Sequence, residues 1–252
     1  MKKHSILVIG TGSIGERHTR CFLSTGRAQV SICETNDELR AAVASRYEIE
    51  SDSSSIDEAI RNSFDATIIC TPAHLHVPIA SQFAKAGVNL LIEKPLGTSL
   101  KGIEELQSLI AEKDLVAGVA YVIRLHPGHA AIRRKLEEGA FGKPLQVVIV
   151  SGQNFPTYRP AYRETYYTDH ATGGGGIQDA ITHSLNLGEW YAGPITQLTC
   201  DADHLALEGV TVEDTVHILT RHGNVLGCYT MNQFQAHNET TVTVVCERGT
   251  LR

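Results

Sequence analysis

Four stretches of this chain place reactive side chains at spacings that could do chemistry. Asp179, His183 and Asn186 stand at i, i+4 and i+7. On a helix they form one polar stripe, beside an apolar one made by Ile177, Ile181 and Leu185. A carboxylate one turn from an imidazole can orient the ring or grip a ligand while the ring moves a proton. From spacing alone, the simpler account is a helix N-terminal acid and a structural histidine. Glu93-Lys94-Pro95 closes a short apolar run. A lysine at the carboxyl end of a buried strand can donate to a substrate oxygen, and a nearby cation would lower its pKa. A surface ion pair at a strand end explains the tripeptide as well.

The third stretch is Ile6 to Gly15, where an apolar run breaks into Gly10, Gly12 and Gly15 and a helical pattern follows. Gly10 suits the bend out of a strand, Gly12 lets a pyrophosphate approach the backbone, and Gly15 lets the next helix pack on the sheet. The anion would sit on the helix N-terminus, where N–H groups and the helix dipole favour negative charge. A second apolar run ends in Glu34, 19 residues beyond Gly15, where a ribose-binding carboxylate is expected. Such an acid repels a 2′-phosphate, and Thr35 and Asn36 bring no positive charge, so NAD is expected rather than NADP. Arg40, on the following helix, could still swing towards a phosphate.

The fourth stretch, 155–167, interleaves Tyr158, Arg159, Tyr162, Arg163, Tyr166 and Tyr167. Aromatic faces cover sugar C–H surfaces while Arg and Tyr tips donate hydrogen bonds, which suits a polyhydroxylated ligand. A surface loop pinned by its tyrosines fits equally. His74-x-His76 and His126-x-x-His129 have no acid or cysteine set to complete a metal site, so no metal is expected.

These residues need elements to hold them. From 30 to 121 strand and helix patterns alternate, implying a parallel sheet covered on both faces. Strands are read at 66–70, 89–92 and 115–121. A capping box opens at Ser55, a helix starts near Thr71-Pro72 and closes at Gly87, and another runs around Ile103 and Ile110. The parallel pattern then stops. A helix is expected over 128–138, a strand over 145–152, four glycines at 173–176, a helix over 177–191, and alternating strands at 215–220, 225–231 and 240–246. His222-Gly223-Asn224 reads as a hairpin turn. The expected fold is α/β: a doubly wound parallel sheet of the Rossmann type over 1–123, then an α+β domain with a mostly antiparallel sheet over 124–252. That second sheet faces the ligand crevice or builds a subunit interface, so a homo-oligomer is expected.

The 252 residues are 42% hydrophobic, enough for a sizeable core, and carry a net charge of −6 with no sustained basic run. This argues against nucleic acid and anionic membranes. The six cysteines form no C-x-x-C pair and read as reduced, mostly buried thiols of a cytoplasmic protein. After Met1-Lys2-Lys3 the apolar run is only about five residues, short for a signal peptide, and no stretch is long enough to span a membrane.

Taken together and in order, Gly10-x-Gly12-x-x-Gly15 with His18, Thr71-Pro72 with His76, Gly87, Leu91-Ile92-Glu93-Lys94-Pro95, Arg124-Leu125-His126-Pro127 and the glycine run before Asp179 and His183 resemble the glucose-fructose oxidoreductase and inositol dehydrogenase (Gfo/Idh/MocA) family. The resemblance implies an NAD-dependent oxidoreductase acting on a sugar, cyclitol or sugar-derived alcohol. It implies catalytic roles for Lys94, Asp179 and His183, with Lys94-Pro95 often cis. Cofactor contacts would fall to Gly10, Gly12, Ser13, Ile14, Gly15, Glu34, Thr71, Pro72, His76, Glu93 and Lys94. Substrate contacts would fall to Lys94, Arg124, Tyr158, Arg163, Asp179 and His183. The segment 156–166 looks like members associated with nonulosonic sugars. Ala73 and Asn186 depart from the family pattern, which has an asparagine and a second acid there. Relatives usually continue beyond Arg252, so the chain is read as a shortened member or a partial chain. Two other readings stay open: an NAD-dependent glycosidase of the same superfamily, and a dinucleotide-sensing regulator, against which the intact Lys94 and His183 count.

Overall fold

The computed structural model describes residues 3–252; Met1 and Lys2, the start of the basic N-terminus, lie outside the described residues. Two compact units divide between Ala120 and Tyr121, three residues earlier than the boundary expected at 123. The reason is local. The Tyr121 ring stands edge-on to His183, and Arg124 bonds to Asn186, so 121–123 pack with the second unit.

In the first unit, strands β1 (His4–Ile9), β2 (Ala28–Cys33), β3 (Asp52–Ser53), β4 (Ala66–Ile69), β5 (Asn89–Ile92) and β6 (Ala117–Val119) form a parallel sheet in the order β3-β2-β1-β4-β5-β6. Alternate residues of β1 show why both faces are covered. Ile6 and Val8 join a cluster with Val30, Ile32 and Val43, whereas Leu7 and Ile9 join another with Ile69, Phe83 and Leu106. Each fully buried aliphatic or Phe side chain contributes about 1.5–3 kcal/mol, so a sheet apolar on both sides must take helices on both sides. Those helices are α1 (Ser13–Ser24), α2 (Asp37–Arg46), α3 (Ile56–Ala59), α4 (His76–Lys85) and α5 (Ile103–Glu112). The Ser55 hydroxyl accepts from the Glu58 amide at 3.2 Å at the start of α3. A single 3₁₀ turn, Ala73–Leu75, separates Pro72 from α4.

The second unit holds α6 (Pro127–Glu137), β7 (Pro144–Asn154), α7 (Phe155–Tyr158), α8 (Thr182–Ala192), β8 (Gln197–Asp203), β9 (Thr215–His222), β10 (Val225–Asn232), β11 (Phe234–Cys246) and β12 (Gly249–Leu251). Its sheet runs β12-β11-β7-β10-β9-β8 and is antiparallel except where β7 and β10 pair parallel. Gly223, at φ +63°, turns the β9–β10 hairpin. One face, with Val147, Ile149, Val216, Ile218, Tyr229 and Val244, packs against Ile181, Leu187 and Tyr191. The other leaves Leu219 61% exposed.

Candidate active site

Gly10 takes φ +82°, and a Cβ there would lie 2.9 Å from the Cys70 carbonyl oxygen; a Cβ on Gly15 would come within 1.8 Å of the Gly10 oxygen. These two glycines let α1 start directly on the ends of β1 and β4. Gly12, by contrast, would direct a Cβ into open space, and it caps α1 with no side-chain hydrogen bond. The first-turn amides of α1, including those of Ser13 and Ile14, are thus left to an anion. Glu34 stands just past β2. Its Oε2 accepts from the Thr11 amide at 2.8 Å, and its Oε1 accepts from the Asn36 amide at 3.0 Å. Arg40 is not poised for a phosphate. It donates to Asp52 at 2.9 Å and to the Glu34 carbonyl at 2.8 Å, and pairs with Asp37 at 2.8 Å. Thr71, beside Pro72 at the end of β4, has a buried hydroxyl with no hydrogen-bond partner. A capless helix start, a fixed acid and an orphaned hydroxyl fit a dinucleotide.

Glu93 and His76, expected from sequence as cofactor contacts, both hold partners within the chain. Glu93 is buried, accepting from His18 at 2.7 Å through Oε1 and from the Lys94 amide at 3.1 Å through Oε2. Burial would raise its pKa, but the bonds from His18 and the Lys94 amide outweigh it and hold the carboxyl below its usual range. His76 is buried between two main-chain carbonyls, with Nδ1 2.8 Å from Pro95 O and Nε2 2.7 Å from Thr71 O. A neutral ring can donate to only one of them at a time, and burial lowers its pKa despite both. Together the two side chains fix the strand ends that carry Thr71 and Lys94. The Lys94–Pro95 peptide is cis.

In the second unit the expected helix over 177–191 has two parts, a π-helical turn over Ile177–Ile181 and then α8. Asp179 lies in the π turn and His183 in α8, so the turn between them is wider than the α-helical one read from spacing. Main-chain bonds at the helix start and packing of Ile181, Leu187 and Tyr191 on the sheet fix both ends, and the extra residue is taken up as a wider turn. Asp179 Oδ1 accepts from the Tyr166 hydroxyl at 2.8 Å. The Tyr121 ring lies 5.6 Å from His183 at 89°. Burial raises the Tyr121 pKa although a bond with Thr182 opposes it.

Neither tyrosine was singled out for the site from sequence. Tyr166 stood in the aromatic segment without any signal to rank it above its neighbours. That segment divides by role: Tyr162 and Tyr167 are buried with Phe155, Leu207, Val210 and Val212, and Tyr167 bonds Gln233. Tyr158 and Tyr166 are 58% and 44% exposed. Arg163, expected to meet substrate, donates to the Glu208 carbonyl at 2.8 Å and lies over the Tyr162 ring. Arg124, also expected there, grips Asn186 through Oδ1 at 2.6 Å and the carbonyl at 3.0 Å, over the Trp190 ring. An asparagine at 186 offers both acceptors without adding a charge, and burial lowers the Arg124 pKa.

All six cysteines are free: Cys33, Cys70 and Cys246 are buried, Cys228 is half-buried, and Cys21 and Cys200 are exposed, fewer buried than expected. Among the described residues no group of three or more His, Cys, Asp or Glu could hold a metal, and no helix is long and apolar enough to cross a membrane.

Comparison with known proteins extends these observations. A family model described as an oxidoreductase family with an NAD-binding Rossmann fold matches residues 4–121, and one described as a GFO/IDH/MocA C-terminal domain matches 129–252. A levoglucosan dehydrogenase from Pseudarthrobacter phenanthrenivorans is 26% identical over 203 residues, 77% of this chain and 52% of the relative. An inositol 2-dehydrogenase from Rhizobium meliloti is 24% identical over 188 residues, 74% of this chain and 54% of the relative. The chain spans about half the length of these curated relatives. Among solved structures, the WlbA dehydrogenase from Bordetella pertussis, in complex with NADH and UDP-GlcNAcA, aligns with a TM-score of 0.89 at 23% identity, covering 99% of this chain and 77% of that one. GenD2 from gentamicin A biosynthesis, in complex with NAD, aligns at 0.89 with 22% identity, covering 100% and 72%. With both models matched in order over nearly its whole length, the chain belongs to the Gfo/Idh/MocA oxidoreductase family.

Proposed function

We propose that this chain is an NAD-dependent oxidoreductase acting on a hydroxyl carbon of a sugar, cyclitol or sugar derivative. The observation that carries the reading is the match, in order, to both parts of one oxidoreductase family. The names of the relatives support the substrate class, since levoglucosan and inositol are polyhydroxylated rings. NAD, when bound, supplies the hydride acceptor. The capless first turn of α1 would hold the pyrophosphate, and Glu34 the adenosine ribose. Because Arg40 is tied to two carboxylates, a 2′-phosphate would meet Glu34 with no cation to receive it.

On the substrate side, His183 takes the hydroxyl proton, Lys94 donates to the oxygen as charge develops on it, and Asp179 fixes a neighbouring hydroxyl. Tyr166, by donating to Asp179 Oδ1, keeps that carboxylate aimed. Free thiols accord with a reducing compartment.

The test is NADH formation by purified protein on a panel of cyclitols, aldoses, amino sugars and nucleotide sugars, repeated for Lys94→Ala and His183→Ala. Both variants should lose on the order of 10²–10⁴ in kcat, the usual worth of a positioned acid or base, with NAD affinity nearly unchanged. Wild-type turnover in both variants removes the assigned roles. Sugar release without net NADH would point to glycosidase chemistry instead.

A further inference from the structure

The start of the helix bearing Asp179 and His183 is held by a residue far away in sequence. Glu213 lies just before β9, with its side chain only 10% exposed. Its main-chain oxygen accepts from the Gly176 amide at 2.8 Å and its Oε1 accepts from the Ile177 amide at 2.7 Å. Two successive amides of the first turn are therefore satisfied by one residue, where no local side chain caps the helix. Its Oε2 meets His170 Nε2, and the His170 carbonyl accepts from the Gln178 side chain at 3.0 Å. A carboxylate also complements the positive end of the helix dipole.

The glycine run fits around this carboxylate. Gly175 takes φ +88°, and a Cβ there would sit 2.6 and 2.7 Å from the two Glu213 carboxylate oxygens. A Cβ on Gly174 would sit 2.2 Å from the Tyr167 carbonyl oxygen, on the segment whose Tyr166 reaches Asp179. Glu213 is itself fixed by its neighbour. Asp214, fully buried, accepts from the amides of Leu205, Ala206 and Leu207 at 3.0, 2.7 and 2.7 Å and from the Thr215 hydroxyl at 2.9 Å.

We propose that Glu213 is a positioning residue: through its bonds to Gly176 and Ile177 it sets the π turn, and so sets where Asp179 and His183 point. The proposal rests on the roles given above to Asp179 and His183. Glu213 itself need not touch substrate. Reactive groups need placement within a fraction of an ångström, and a shift of about 1 Å costs roughly a hundredfold in rate.

The experiment compares Glu213→Ala, Glu213→Gln and Gly175→Ala by kcat, KM, NAD Kd and amide hydrogen exchange over 175–181. A glutamine carbonyl can still accept from Ile177, so Glu213→Gln should stay within about threefold of wild type. Glu213→Ala and Gly175→Ala should lose roughly ten- to a hundredfold in kcat, with faster exchange at Ile177 and unchanged NAD Kd. Wild-type kcat with unaccelerated exchange in Glu213→Ala overturns the proposal, and so does a Glu213→Gln variant as impaired as the alanine. If Glu213→Ala does not fold, the other two variants decide the matter. If the wild-type chain oxidises nothing, the function reading fails, while the exchange data still decide whether Glu213 sets the turn.

Discussion

Arg40, six residues beyond Glu34, bears on the proposed choice of NAD over NADP through what its guanidinium already holds. With Asp37, Asp52 and the Glu34 carbonyl all bound to its guanidinium, it is held as a structural cation. Removing Glu34 should therefore weaken NAD binding without creating an NADP site. Loss of hydrogen bonds to a charged group costs about 1.5–3 kcal/mol, so Glu34→Ala should raise the NAD Kd by roughly tenfold or more. NADP binding should improve clearly only in Glu34→Ser combined with Asp37→Ser and Asp52→Ala, which removes both carboxylates that hold Arg40. Titration with both dinucleotides measures this; equal NADP affinity in the single and triple variants would show that Arg40 is not the limiting cation. The glycine turn stood out in sequence because Gly10, Gly12 and Gly15 fall at a fixed spacing between a strand and a helix, although what closes on Gly10 is Cys70, just beyond β4. Glu93 and His76 were legible as positions, but their partners, His18 and two main-chain carbonyls, left no local signal.

At the level of elements, the helices and strands with strong periodicity emerged near their expected bounds. The hairpin at Gly223 and the helix after Gly176 are examples. What periodicity could not show is the π turn, since it depends on Glu213, 36 residues beyond Ile177. The parallel pairing of β7 with β10 is also a long-range matter that no local pattern encodes. The loop ahead of β9 carries its own prediction. Burial would raise the Asp214 pKa, but the amides of Leu207, Ala206 and Leu205 outweigh it and hold it below the usual range. A depressed carboxylate stabilises the fold fully above its unfolded value of about 3.9. That stabilisation disappears as pH falls through the lower folded value. Asp214→Asn, which turns an amide N–H towards donors, should cost about 2–4 kcal/mol at neutral pH. It should also flatten the acid limb of the stability profile below about pH 4. Urea unfolding of both proteins across that range checks the sign; a parallel offset at every pH would mean that Asp214 carries no depressed ionisation.

For the whole molecule, the division at Ala120 gives each unit its own buried clusters, with Phe83 and Val8 in the first and Tyr229 and Val244 in the second. Each therefore has the core that a separate unfolding transition requires. The proposed dinucleotide contacts of the glycine turn, Glu34 and Thr71 all lie in the first unit, so binding should stabilise that unit by mass action. At a hundred times Kd the gain is about 2.7 kcal/mol, a shift of several degrees for a unit of this size. Calorimetry should show one transition rising with NAD while the transition lowered by Asp214→Asn stays in place. Gly15→Ala should abolish the rise, because its Cβ would have to occupy the position of the Gly10 carbonyl oxygen. If NAD instead moves the transition that Asp214→Asn lowers, the dinucleotide contacts are not confined to the first unit as assigned, and the placement of the cofactor must be redrawn.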